Sequence, residues 1–133
     1  MATVRELVYS ALTTDTALNT LGIDADHMYA SGSLDGPQPA PFGVTRWGAV
    51  AKGIGPINRA PVTIYIHDDF GDYSTINAIL VRIRQVMLAL SASGQSANWI
   101  IDVVWDGDSG DLADDTYKTL MRYASFTVVA NTL

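Results

Sequence analysis

A chain of 133 residues and 14.3 kDa is the size of one domain, residues 1–133, and such a domain buries roughly 68% of its unfolded surface, enough for a single core. With 48% hydrophobic and 17% charged residues it is globular, and its sparse surface charge suggests that part of that surface meets protein. The net charge of −6, with eight scattered basic side chains against fourteen acidic ones, excludes a phosphate-gripping surface, and the lack of cysteine excludes a disulfide framework, a thiol nucleophile and a thiolate metal site.

MATVRELVYSAL mixes an acid and polar residues into its apolar pattern, as neither a secretory signal nor a membrane span does. The expectation is a protein made and kept in a cytoplasm until it is assembled or released. Thr3-Val4-Arg5-Glu6 has capping-box spacing, and Val4, Leu7, Val8, Ala11 and Leu12 follow one buried helical stripe. Thr14 or Asp15 caps a second short turn through Ala17, Leu18 and Leu21, ended by Gly22. His27 to Ala30 reads as a short strand, and SGSLDGPQPAP, residues 31–41, as loop.

Phe42 to Val50 reads as a strand, and GIGPINRAP, residues 53–61, turns the chain into the next one. The result is a long hairpin whose tip, Gly48 to Asn58, is Gly-rich, partly basic through nearby Lys52 and Arg59, and available to neighbours. Val62, Ile64 and Ile66 then alternate with Thr63, Tyr65 and His67, a strand with one buried face. Ile76, Ile79, Leu80, Ile83, Val86, Met87 and Leu90 form a wide helical stripe with Arg82 and Gln85 opposite, broken near Gly94. Trp99, Ile101, Val103 and Trp105 share one face of a further strand, which ends at the acidic loop DGDSGDLADD, residues 106–115. Tyr117 to Ala130 fits a helical turn at its start, but the alternation of Leu120, Ala124, Phe126 and Val128 favours a strand antiparallel to Trp99–Trp105.

Chemistry is sought first in the turn IHDDFGDY, residues 66–73. Asp69-Phe70-Gly71 matches the magnesium-holding letters of protein kinases, but the chain has no glycine-rich loop, strand lysine and catalytic aspartate in order. His67, Asp68, Asp69 and Asp72 carry ligand types suited to a divalent ion, as a small metal-dependent hydrolase would need. A strand-to-helix joint explains more of these residues. Asp72 stands where an N-cap belongs, Asp68 and Asp69 lie near the positive end of the helix dipole, where each contributes about 0.3–1 kcal/mol, and His67 faces solvent. Counted from Asp106, the acidic stretch fails as a calcium loop: the sixth position is Asp111 where glycine is required, and the twelfth, past residue 115, is Tyr117 where glutamate is required. No serine sits in a nucleophile elbow, and Trp47, Trp99 and Trp105 in an acidic chain suit a core or a protein interface better than stacking on bases.

The order of an amphipathic helix, a short strand before a Pro-rich loop, a long hairpin, then VTIYIHDDFGDYSTINAILVRIRQVML and a final pair of strands around WDGDSGDLADD resembles the tail terminator (tail completion) proteins of long-tailed bacteriophages. The resemblance spans nearly the whole chain. Its most specific stretch is residues 64–80, with Trp105, Asp106, Gly107, Ser109, Asp111 and Leu112 downstream. It implies a compact α/β subunit of α+β type, with helices on one face of an antiparallel or mixed sheet and an extended hairpin. It further implies a structural, non-enzymatic virion protein that forms a homo-oligomeric ring, a hexamer, at the head-proximal end of the tail. Such a ring ends tube polymerisation and touches the tail tube protein and a head-completion or connector protein. Double-stranded DNA passes through it without tight binding, and no cofactor, metal or membrane is involved. Another head-to-tail connector protein is the alternative within the same class. For subunit or partner contact the sequence nominates Lys52, Ile54, Ile57, Arg59, Asp108 and Asp111.

Overall fold

The computed structural model describes residues 3–30, 38–53, 57–92 and 100–131. Local chemistry starts the first helix as expected. The Thr3 hydroxyl accepts from the Glu6 amide while the Glu6 carboxylate accepts from the Thr3 amide, and α1 runs Val4–Thr14. Asp15 ends α1 and caps α2, Thr16–Thr20, by accepting from the Leu18 amide at 3.0 Å. The same carboxylate receives Arg82 of α3, Ser74–Ala92, through Nε at 2.9 Å and Nη2 at 2.7 Å. That two-pronged pair ties the N-terminal helices to the long one. It holds the Asp15 carboxyl below its ordinary range, chiefly through the Arg82 hydrogen bond, against the opposing effect of burial.

The strands are β1 (Met28–Ala30), β2 (Phe42–Trp47), β3 (Ala51–Lys52), β4 (Asn58–Asp68), β5 (Ile100–Asp108), β6 (Leu112–Asp114) and β7 (Thr119–Ala130). They build a sheet in the order β1-β2-β4-β7-β5, with β3 beside β4 and β6 beside β7. Among the described strands only β1 and β2 pair in parallel, so the sheet is mixed. β4 and β7, the two central strands, show the cleanest alternation: Val62, Ile64 and Ile66 lie inward beside Ala124, Phe126 and Val128. Val8 and Leu12 of α1, with Ile79, Ile83 and Met87 of α3, close over that face, each buried side chain contributing about 1.5–3 kcal/mol. No described helix covers the opposite face, where Tyr117 packs edge-on against Phe42 and His67.

Three sequence expectations change. First, β4 begins at Asn58 rather than Val62 and carries Pro61 between two paired neighbours. Pro61 is tolerated because β2 stops at Trp47 and β3 resumes at Ala51, so the residue without an N–H meets a gap in the ladder. Gly48 fills the gap: its amide donates to the Pro61 carbonyl at 2.8 Å, and a Cβ there would stand 2.6 Å from Pro61 Cγ. Secondly, β5 does not alternate as expected. A register shift between Ile100 and Asp102 puts Ile100 and Val103 into the core, and Trp105 is 40% exposed. Thirdly, the acidic segment is largely strand, since β5 runs to Asp108 and β6 takes Leu112–Asp114. The doubtful segment from Tyr117 resolves into a turn followed by β7, antiparallel to β5.

Candidate functional site

The turn that drew attention in the sequence does not converge on a point. His67 is on the sheet face away from the helices, as alternation requires, but it is 2% exposed rather than solvent-facing. Phe42, its partner across the β2–β4 ladder, stacks on the imidazole with centroids 4.6 Å apart, and Tyr117 meets it edge-on at 5.2 Å. Its Nδ1 lies 2.8 Å from the Thr119 hydroxyl. Burial lowers its pKa, with Asp114 acting weakly the other way. A hydroxyl beside an imidazole is the bare element of nucleophilic catalysis, but Thr119 is itself 3% exposed and out of reach of a substrate.

Two of the three aspartates do other work. Asp68 accepts from the Asp69 amide at 2.9 Å. Asp72 precedes the cap, because the Tyr73 carbonyl accepts the first helical bond from Asn77. The Asp72 carboxylate instead accepts from the Ser74 hydroxyl at 2.6 Å and amide at 3.0 Å, which lowers its pKa. Among the described residues no three His, Asp or Glu side chains gather as a metal centre would. No described helix is long and apolar enough to cross a membrane.

The nominated contact residues divide between the two ends of the sheet. Lys52 is exposed on β3, and Arg59, level with Val129, is exposed on β4. Ile57 is half-buried, its carbonyl accepting from the Gly53 amide to close the hairpin, while Ile54 lies outside the described residues. Asp108 stands level with Ala124 and Ile64, well along the sheet from Arg59, and accepts from Trp105 Nε1 at 3.0 Å. Asp111 is 3.7 Å from Arg122, which also donates to the Ser109 carbonyl and to Asn77.

Among the described residues three concave surfaces stand out. A cavity of about 290 Å³ on the open face is lined by Arg46, Tyr65, His67, Asp114 and Tyr117. A second, of about 260 Å³, opens between α1 and the outer side of β2, walled by Arg5, Tyr9, Ala30, Thr45 and Trp47. A third, of about 480 Å³, lies on the open face along β5 and β7, between Arg59 and Asp102. Sequence reading missed the two outer edges of the sheet. An arginine pair at Arg5 and Arg46 and an acidic run at Asp102, Asp106 and Asp108 were visible as letters, but their placement on opposite edges depends on strand order.

The described residues thus define a class, a two-layer α+β subunit with helices on one face of a mixed sheet and the other face open. The fold is similar to a chain in the solved structure of the virion of a native gene transfer agent particle, with a TM-score of 0.67 and 13% sequence identity over 92% of this chain and 90% of that one. No protein-family model matches the chain. No curated protein matches it either.

Proposed function

We propose that this chain is a structural subunit of a phage-type virion. It forms a ring at the head-proximal end of the tail tube, ends tube polymerisation and joins the tail to head-completion proteins. The observation that supports this reading is the fold shared, over nearly the full length of both chains, with a chain of a gene transfer agent virion. The resemblance in element order to tail terminators points the same way. The scattered carboxylates of residues 68–72 and the buried His67–Thr119 pair favour a structural over an enzymatic role. The protein is made in the host cytoplasm and resides in the virion, against the tail tube protein on one side and a head-completion or connector protein on the other.

The hairpin that the Gly53–Ile57 hydrogen bond closes, with Lys52 and Arg59 at its base, ends the β3–β4 pair. It is the element offered to a partner above or below the ring. A net charge of −6 lets DNA pass without tight contact. The test is addition of the purified protein to polymerising tail tube protein. The reading expects tubes that stop growing and carry the protein at one end only. Tubes of unchanged length with no bound protein contradict it, and binding to the head-side partner alone assigns the chain to another head-to-tail connector.

A further inference from the structure

A ring made from one kind of subunit needs two different surfaces on each copy, placed on opposite sides, because a self-complementary patch yields a closed pair. The strand order supplies two such sides. β5 is one outer strand of the sheet, and β1 with the exposed end of β2 is the other. Among the described residues β1 pairs as far as Ala30 with Thr45, and none pairs with Arg46 and Trp47 on that side of β2.

The two sides are chemically opposite. Along β5, Asp102, Asp106 and Asp108 are exposed around Val104 and Trp105, which are 45% and 40% exposed. Each carboxylate accepts one hydrogen bond within the subunit, from the Val103 amide, the Thr127 hydroxyl and Trp105 Nε1 respectively. Among the described residues none of the three has a cationic partner in an ion pair. At the far side Arg5 and Arg46 are exposed, and among the described residues neither is in an ion pair. Between α1 and β2 lies the cavity of about 260 Å³, floored by Trp47 with the Arg5 guanidinium 5.4 Å from the indole. Glu6, also at its rim, is engaged in the capping box.

The features also match layer by layer. On the helix side of β5 stand Trp105, under the Arg84 guanidinium at 4.4 Å, and Asp108; on the helix side of the other edge are the cavity and Arg5. On the open side of β5 are Asp102, level with Val129, and Asp106, bonded to Thr127; on the open side of β2 is Arg46, level with Thr63. A copy placed beside another with its helices in the same layer brings aromatic to cavity and carboxylate to guanidinium. An edge strand with two register shifts and exposed acids resists simple strand addition, so side chains carry this contact.

We propose that copies of this chain dock head to tail, the acidic β5 edge of one, with Trp105 as its apolar anchor, seated on the α1–β2 edge of the next, where Arg5 and Arg46 flank the cavity. This inference rests on the ring reading. Its partner is a second copy of the chain, and buried aromatic anchors with charged flanks are the usual source of affinity and register in such contacts.

Charge reversal tests it in the full-length protein, with assembly followed by sedimentation velocity. Arg46→Glu and Asp106→Lys should each raise the protein concentration needed for ring formation about tenfold or more, and the double variant should return it most of the way to wild type. The chain has no cysteine, so Arg46→Cys/Asp106→Cys treated with a short bismaleimide should give a ladder of linked copies ending at the ring number, while each single-cysteine variant stops at pairs. Rings whose assembly is unmoved by either reversal, with no ladder, overturn the edge pairing and leave the ring reading standing. A wild type that stays monomeric at all concentrations and on tail tubes overturns both.

Discussion

His67 makes the stability of this protein sensitive to pH at mildly acidic values. The ring is enclosed by Phe42, Tyr117 and Thr119, and burial disfavours its charged form, so its folded pKa lies below the ordinary value near 6.5. The unfolded chain therefore takes up the proton more readily than the native one. Stability is fully present above the unfolded pKa and is lost as pH falls through and below it. One proton limits the slope to about 1.4 kcal/mol per pH unit, so the loss between pH 6.5 and 4.5 is at most about 2.7 kcal/mol. The carboxylates held below their ordinary range, Asp15, Asp24 and Asp72, add their own loss at lower pH, which keeps the upper part of this window for the imidazole. His67→Gln removes the titration while leaving a polar group near Thr119; it forfeits ring contacts worth about 0.5–1.5 kcal/mol per pair. Urea unfolding at steps from pH 7.5 to 4.5 should show the wild type losing stability faster than the variant below pH 6.5. Parallel curves over that range would refute the assignment of His67 as a neutral core residue.

Gly43→Ala should destabilise the fold by about 1–3 kcal/mol, because a Cβ there would stand 2.9 Å from Met28 Sδ and Cε and 3.2 Å from Ile66 Cδ1; thermal unfolding reads it, and an unchanged melting temperature would show that Met28 yields freely. Asp15→Ala should cost about 0.5–2 kcal/mol from the lost cap alone, and should exceed the effect of Arg82→Ala, since Asp15 serves both α2 and α3; equal losses in chemical denaturation would mean that the cap contributes nothing. Replacing residues 53–57 by Asn-Gly should leave cooperative unfolding intact and abolish docking on tail tubes, read by cosedimentation; normal docking would reduce the turn to a simple connection. The protein should show no salt-sensitive binding to duplex DNA in a gel shift at physiological ionic strength, and submicromolar binding would contradict passage without grip.

What could be read directly from the chain was local. The capping box at Thr3 and Glu6 is complete within four letters, and the stripe from Ile76 to Leu90 needs only helical periodicity, so both stand where expected. The segment from Tyr117 was ambiguous by pattern. Pairing with β4 and β5 on its two sides decides for strand over any turn-like tendency at its start. The misplaced residues share a cause. His67 alternates outward, and its burial depends on Phe42 and Tyr117, which are remote in sequence. Arg82 sits on the polar side of its helix and is claimed by Asp15, 67 residues away. A shift of register in β5 is invisible in an apolar run such as WIIDVV, where either face is hydrophobic enough. The candidate contact surface was least legible, because it belongs to sheet edges, and edges exist only once strand order is known.

The central claim is that this chain builds a closed ring of identical subunits for the end of a tail. Negative-stain electron microscopy of the purified protein, alone and mixed with tail tubes, tests it most directly. Rings of a single diameter are expected, with the same rings at one end of each tube. Uniform monomers in the free protein together with bare tube ends would contradict it.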